Sequence, residues 1–328
     1  MSERAEVERE VAGFRRAWAD LRGALAVSIV GQEEVVDQVL TAFFAGGHVL
    51  LEGVPGLGKT LLVRTLARAL GLRFSRVQCT PDLMPGDVTG TTVLVDEGGR
   101  RAFSFRPGPV FTNLLLADEV NRATPKTQSA LLEAMEEKSV TVGGETHRLE
   151  EPFHVLATQN PLEMEGTFPL PEAQLDRFLF KVLVRSPGGE DLLRIVDRTT
   201  GAAAPVPGRM LDGALVVRLQ RLVREVVLEG PGRTLVARIV EATAPGGPGA
   251  PASVTRFVRF GASPRGAQAL ALGAKVRALG AGRSHVAAED VRAVARPALR
   301  HRLLLNFEGE AEGVSVESLL DEVLAATA

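Results

Sequence analysis

Eight consecutive residues, Gly53-Val54-Pro55-Gly56-Leu57-Gly58-Lys59-Thr60, match the pattern G-x-x-x-x-G-K-[ST] in full. Gly53, Gly56 and Gly58 free the main chain so that its N–H groups can converge on phosphate oxygens. A helix beginning where the loop ends points its positive end at the same place. Lys59 is spaced to reach the β- and γ-phosphates of ATP, and the Thr60 hydroxyl to bind Mg²⁺. The apolar run Leu114-Leu115-Leu116-Ala117 ends in Asp118-Glu119. Asp118 suits a Mg²⁺ ion that keeps part of its water shell, and Glu119 suits orienting and polarising an attacking water. Together these residues predict a Mg-ATP hydrolysis site.

Three further polar positions are candidates for the same chemistry. Asn160, in Thr158-Gln159-Asn160 at the end of another apolar run, could set the water beside the γ-phosphate. Arg177, in Leu175-Asp176-Arg177-Phe178, could stabilise charge on the transferring phosphoryl group. A surface ion pair with Asp176 or Glu172 is its plainer alternative. Arg265, in Ser263-Pro264-Arg265, opens a helical stretch from which it could reach the nucleotide across a domain boundary.

Elements of regular structure must position these residues. Val49-Leu50-Leu51 reads as a buried strand before the glycine loop, and the spacing of Leu62, Leu66 and Leu70 predicts a helix after it. With the strands expected at Leu114–Ala117 and Phe153–Ala157, the alternation predicts an α/β core around a parallel sheet. Val7, Val11, Phe14, Trp18, Leu21 and Leu25 predict an amphipathic helix ahead of it. Two β-hairpins interrupt the core, Thr91–Val95 with Arg101–Phe105 around Glu97-Gly98-Gly99, and Ser139–Val142 with Glu145–Leu149 around Gly143-Gly144. Ser186-Pro187-Gly188-Gly189 reads as a linker, and the chain beyond Gly189 has a mostly helical pattern. The expected domains are residues 1–184, the ATP-binding core with its N-terminal helix, and residues 185–328, a helical lid. Gly201–Pro207 and Ala244–Pro251 are expected as mobile loops.

The bulk composition narrows the class. A formal net charge of −2 gives no global basic excess for binding nucleic acid. One cysteine, Cys79, excludes an internal disulfide or a cysteine metal cluster, and five histidines lack ligand spacing. No apolar run is long enough to span a bilayer and the first residues are charged throughout, so no membrane insertion and a cytoplasmic address are expected.

These elements, in this order, resemble the MoxR branch of the AAA+ ATPases. The likeness is carried by residues 46–60, Thr80-Pro81-Asp82-Leu83, Arg106-Pro107-Gly108-Pro109-Val110-Phe111, residues 116–123 and 126–135, Ala157-Thr158-Gln159-Asn160-Pro161 and residues 170–178. It resumes at Gly261-Ala262-Ser263-Pro264-Arg265 and at Leu299-Arg300-His301-Arg302. The resemblance implies that Val30-Gly31 contacts adenine, that Asn160 is sensor 1, that Arg177 is an arginine finger acting on a neighbouring subunit, and that Arg265 is sensor 2. It leaves open whether Arg265 serves its own subunit's ATP or a neighbour's. It further implies a hexameric homo-oligomeric ring, hairpins facing the pore or a protein client, and a partner carrying a von Willebrand factor A domain. The function implied is chaperone-like remodelling, maturation or metal-cofactor insertion. Competing readings are a DNA-dependent motor, a nucleotide-dependent binding switch with little turnover, and a magnesium-chelatase motor subunit. Against the DNA motor, the second hairpin tip, Val142-Gly143-Gly144-Glu145, is not basic.

Overall fold

The computed structural model describes residues 3–97, 100–161, 166–201 and 208–327. The hairpin tip expected at Gly98-Gly99 lies outside the described residues, as do residues 202–207 of the expected Gly201–Pro207 loop.

The chain opens with α1 (Glu3–Ser28) and α2 (Glu33–Phe44), then β1 (Val49–Glu52), α3 (Lys59–Leu70), β2 (Phe74–Gln78) and a short α4 (Pro85–Thr89). A hairpin of β3 (Gly90–Glu97) and β4 (Arg100–Pro107) leads to β5 (Leu114–Asp118) and α5 (Pro125–Glu137). A second hairpin, β6 (Ser139–Val142) and β7 (Glu145–Arg148), precedes β8 (His154–Gln159), the single turn α6 (Glu172–Leu175) and β9 (Phe180–Leu183). Strands β2, β5, β8, β1 and β9 lie in that order, each pair of neighbours parallel. The remainder is α7 (Gly189–Thr200), α8 (Gly213–Glu225), α9 (Gly230–Ala242), α10 (Ala252–Phe257), β10 (Val258–Phe260), α11 (Pro264–Gly280), α12 (Ala288–Leu299), β11 (Leu304–Leu305), α13 (Phe307–Ala311) and α14 (Val316–Ala326). This is the expected α/β core with two hairpins and a C-terminal helical lid.

The two-residue period of a strand divides the core between the faces of the sheet. Val49, Leu51, Leu114, Leu116 and Leu156 pack with α1, α2, α3 and the lid helices on one side. Leu50, Leu115, Ala117, Val155 and Ala157 pack with α5 and Phe178 on the other. The first cluster runs without a break into lid residues Val216, Ile239, Leu270 and Val294. Gly273 permits a close approach, since a Cβ there would lie 2.8 Å from Cζ of Phe180 on β9.

Strand β2 has no apolar run to mark it in the sequence, whereas β9 lies in Phe178-Leu179-Phe180-Lys181-Val182-Leu183-Val184, apolar but for Lys181. Each lies at an edge of the sheet, and only Val77 of β2 is buried. Along α1, Val11, Phe14, Leu21 and Leu25 are buried as expected, whereas Val7 is exposed.

Candidate active site

Three central strands deliver the expected site residues to one edge of the sheet, at their carboxyl ends, where ligands of open parallel sheets bind. The glycine loop follows β1, Asp118-Glu119 closes β5, and Asn160 follows β8. The register pairs Leu51 with Thr158 and Ala117 with Ala157, which brings the three strand ends level. The Gly53 N–H donates to the Gln159 carbonyl at 3.2 Å, fixing the loop against β8.

The loop has the conformation its glycines allow. Gly56 and Gly58 have φ of 84° and 78°, in the left-handed region that other residues avoid. Gly58 is the N-cap of α3 and has no side chain to satisfy the first-turn N–H groups, leaving them to a ligand. The Lys59 ammonium donates to the carbonyls of Gly53 at 2.5 Å and Val54 at 3.1 Å. Its pKa is lowered by burial, an effect opposed by the charges of Asp118 and Glu119.

The acidic pair is held by neighbours that spacing alone does not reveal. The buried Thr158 hydroxyl donates to Oδ1 of Asp118 at 2.5 Å and accepts the Glu119 N–H at 2.8 Å. Arg76 donates to Oδ2 of Asp118 through Nη2 at 2.6 Å and through Nε at 3.1 Å. The same Nη2 reaches Oε1 of Gln78 at 2.8 Å, and Nε2 of Gln78 donates to Oε2 of Glu119 at 2.8 Å. Arg122 adds a contact to that carboxylate oxygen at 3.1 Å. Glu119 itself has φ 56°, an unusual conformation for a non-glycine residue and one that clusters at functional sites. Arg76 and Gln78 stand two apart on β2 and so share a face. That alternation was the available signal, but it says nothing about which neighbouring strand they meet.

The donors present fit Mg²⁺. A threonine hydroxyl at the start of α3 and a carboxylate at the end of β5 are hard oxygen ligands of the kind that ion takes alongside waters and phosphate oxygens. Among the described residues there is no cluster of three or more His, Cys, Asp or Glu that could hold a metal without a nucleotide. Cys79 is buried, and burial, aided by Asp118 and Glu119, pushes its thiol up to about 12, so it stays protonated.

Val30 lines a cavity of about 470 Å³ beside the loop, with Ile29, Leu57, Leu61, Leu192 and Ile195 among its walls. Gly31 lies next to it with φ 68°, and a Cβ there would run into the Asp191 carboxylate.

Arg177 and Arg265 are not with the others. Leu179, two residues after Arg177, donates its N–H to the carbonyl of His48, the residue before β1. Arg177 therefore lies at the opposite end of the sheet from the loop, about 15 Å along the strand direction. It pairs neither with Asp176 nor with Glu172 but with Glu136 in the last turn of α5, at 2.9 Å. Arg265 pairs with the other oxygen of the same carboxylate. The two arginines form one cationic pair across Glu136, a residue that sequence spacing does not single out.

Residues 48–180 match the ATPase family associated with various cellular activities (AAA), and residues 252–323 match the AAA lid domain. The chain is 44% identical over 300 residues to the chaperone MoxR1 of Mycobacterium tuberculosis, covering 92% of this chain and 79% of that one. The chain belongs to the MoxR family of AAA ATPases. Protein MoxR of Methylorubrum extorquens is 34% identical over 309 residues, with 89% of each chain covered. A crystal structure from Cytophaga hutchinsonii, assigned as an ATPase, is 38% identical and superposes with a TM-score of 0.91 over 99% of this chain and 98% of that one. Membership of the MoxR family implies ATP binding and hydrolysis. No described helix is long and apolar enough to cross a membrane.

Proposed function

We propose that this MoxR-family chain hydrolyses Mg-ATP at the interfaces of a hexameric ring and uses the cycle for chaperone-like remodelling of a protein client. One observation carries the reading. The phosphate loop and acidic pair occupy one end of the sheet, whereas Arg177 and Arg265 meet at Glu136 at the other. Head-to-tail apposition of two copies would unite the halves, and a head-to-tail contact closes into a ring when its rotation permits. On this reading Arg265, like Arg177, serves the neighbour's nucleotide.

Within the composite site the cavity beside Val30 receives the purine base, and the loop N–H groups and Lys59 hold the phosphates. Thr60 and Asp118 would hold Mg²⁺, which would supply charge neutralisation at the phosphates. Glu119 orients the attacking water and takes its proton, while Asn160 helps to align it. Arg177 and Arg265 from the next subunit balance the charge on the transferring group. The exposed cross-strand pair Leu94 and Phe103 on the first hairpin offers an apolar surface to a client. The likeness to a protein named as a chaperone supports the remodelling role, and the family resemblance supports a von Willebrand factor A domain partner.

Glu119→Gln is expected to keep ATP binding and lose at least about 100-fold in turnover. Arg177→Ala should lose on the order of 1,000-fold with ATP affinity retained. Mixing the two should restore activity, because Glu119→Gln subunits carry intact arginines and Arg177→Ala subunits carry an intact base. Wild-type turnover in Glu119→Gln removes that residue from its role, and absence of rescue sinks the shared site.

A further inference from the structure

Arg302 follows α12 in the lid, and its side chain is almost wholly buried at 3% exposure. Its guanidinium has five N–H donors, and acceptors lie within reach of all of them. Nε donates to Oδ1 of Asp176 at 2.7 Å, and Nη2 donates to the main-chain carbonyls of Asp176 at 2.9 Å and Phe178 at 2.8 Å. Nη1 donates to the Leu179 carbonyl at 3.2 Å and to the Ala298 carbonyl. Arg177 is the residue between the two carbonyls that Nη2 grips. One lid side chain thus holds the main chain on either side of Arg177.

The same network reaches Arg265. The second carboxylate oxygen of Asp176 accepts a hydrogen bond from the Ser263 hydroxyl at 2.8 Å, and Ser263 caps α11 by accepting the Arg265 N–H at 3.1 Å. The first turn of α11 also lies against the Arg302 stem, since a Cβ on Gly266 would be 3.2 Å from its Cδ. A lysine could not substitute, because it has three donors on one atom and no planar fork.

We propose that Arg302 is a positioning residue that locks the lid to the Asp176–Leu179 segment and fixes Arg177 and Arg265 as one pair aimed at the neighbouring subunit's nucleotide. The proposal rests on the shared-site reading of the proposed function. It makes the defect of an Arg302 variant directional: the subunit fails as a donor of arginines and remains sound as a site that receives them.

The test extends the mixing of full-length variants. Glu119→Gln/Arg302→Met subunits, used as donors, are expected to rescue Arg177→Ala subunits about 100-fold less well than plain Glu119→Gln donors, the scale of a misplacement of about 1 Å. The loss should fall on kcat with KM for ATP unchanged. In the reverse arrangement, Arg177→Ala/Arg302→Met recipients should be rescued by Glu119→Gln donors as well as Arg177→Ala recipients are. Full rescue by the Arg302→Met donor overturns the proposal, and so does equal loss in both arrangements, which would mark a general folding defect. Ser263→Ala, which removes only the hydroxyl shared by Asp176 and the Arg265 N–H, should give a smaller donor-only loss. It decides the question if Arg302→Met does not fold, and a Ser263→Ala donor that rescues fully then overturns the proposal. Failure of plain Glu119→Gln donors to rescue Arg177→Ala is a separate outcome that removes the underlying reading.

Discussion

Thr158 ties together the two acidic residues of the candidate site, donating to the Asp118 carboxylate and accepting the main-chain N–H of Glu119. Valine has nearly the same shape and neither function. Thr158→Val leaves the Glu119 N–H without its acceptor and Oδ1 of Asp118 without that donor, at a cost of about 1–3 kcal/mol in stability. Turnover should fall at least about 10-fold as Glu119 loses its alignment. Urea denaturation and steady-state ATPase rates check the two halves, and a variant with wild-type values of both would show that Thr158 only fills space. That Lys59, Thr60, Asp118, Glu119 and Asn160 gather at one end of the sheet was legible in the sequence, because each sits in a short contiguous pattern at a strand end. Arg76, Thr158 and Glu136 were not, because their partners lie 39 to 42 positions away along the chain, or farther for Arg265. Which side chains meet across that distance depends on sheet register, which no local spacing encodes.

At the scale of elements, the glycine loop is constrained in two physically different ways. Gly56 needs its left-handed φ of 84° but has open space around it, whereas a Cβ on Gly53 would lie 2.5 Å from the Val184 carbonyl oxygen just after β9. Gly53→Ala must push that main chain away, although Val184 donates its N–H to the Glu52 carbonyl at 2.7 Å. A destabilisation of about 1–3 kcal/mol is expected, together with weaker ATP binding. Gly56→Ala should cost about 1–2 kcal/mol through conformation alone. Denaturation curves and nucleotide titrations on both variants check this, and unchanged stability for Gly53→Ala would refute the close packing. The buried central strands were readable from continuous apolar runs, and both hairpins from their glycine turns. Edge strand β2 was not, because a strand with one neighbour does not need the unbroken apolar run of a central one; β9 went unread although only Lys181, paired with Glu52, breaks its apolar segment.

Across the whole molecule, the lid and the sheet share one hydrophobic cluster. His48 and His154 lie on its margin. Nδ1 of His48 accepts the Val155 N–H at 2.9 Å, a role open only to the neutral ring. Burial is the main reason that His48 is lowered to about 4 and His154 to about 3; proximity to His48 adds to it for His154 and Lys138 for both, while hydrogen bonds to the Met135 and Gly47 carbonyls oppose it. His301, contacting the Phe178 carbonyl from the lid, is also lowered by burial and then by Arg302. Because the folded values lie below the unfolded value of 6.5, the unfolded chain takes up protons first as pH falls. Stability should be level with respect to these groups above pH 6.5 and decline from there towards about 4 and 3. Urea midpoints between pH 7.5 and 5 measure the slope, and a flat profile would mean the rings charge freely in the fold.

The distance between the phosphate loop and the Arg177–Arg265 pair also has a consequence for how the protein responds to its own abundance. If the site is shared as proposed, each subunit carries two halves of different catalytic centres, and the number of complete centres obeys mass action in subunit concentration. Rate per subunit then rises with concentration and levels off only when the assembly is saturated. A cell could govern such an activity by how much of the chain it makes, and any surface that competes for the Glu136 end of one copy would silence the nucleotide held by another.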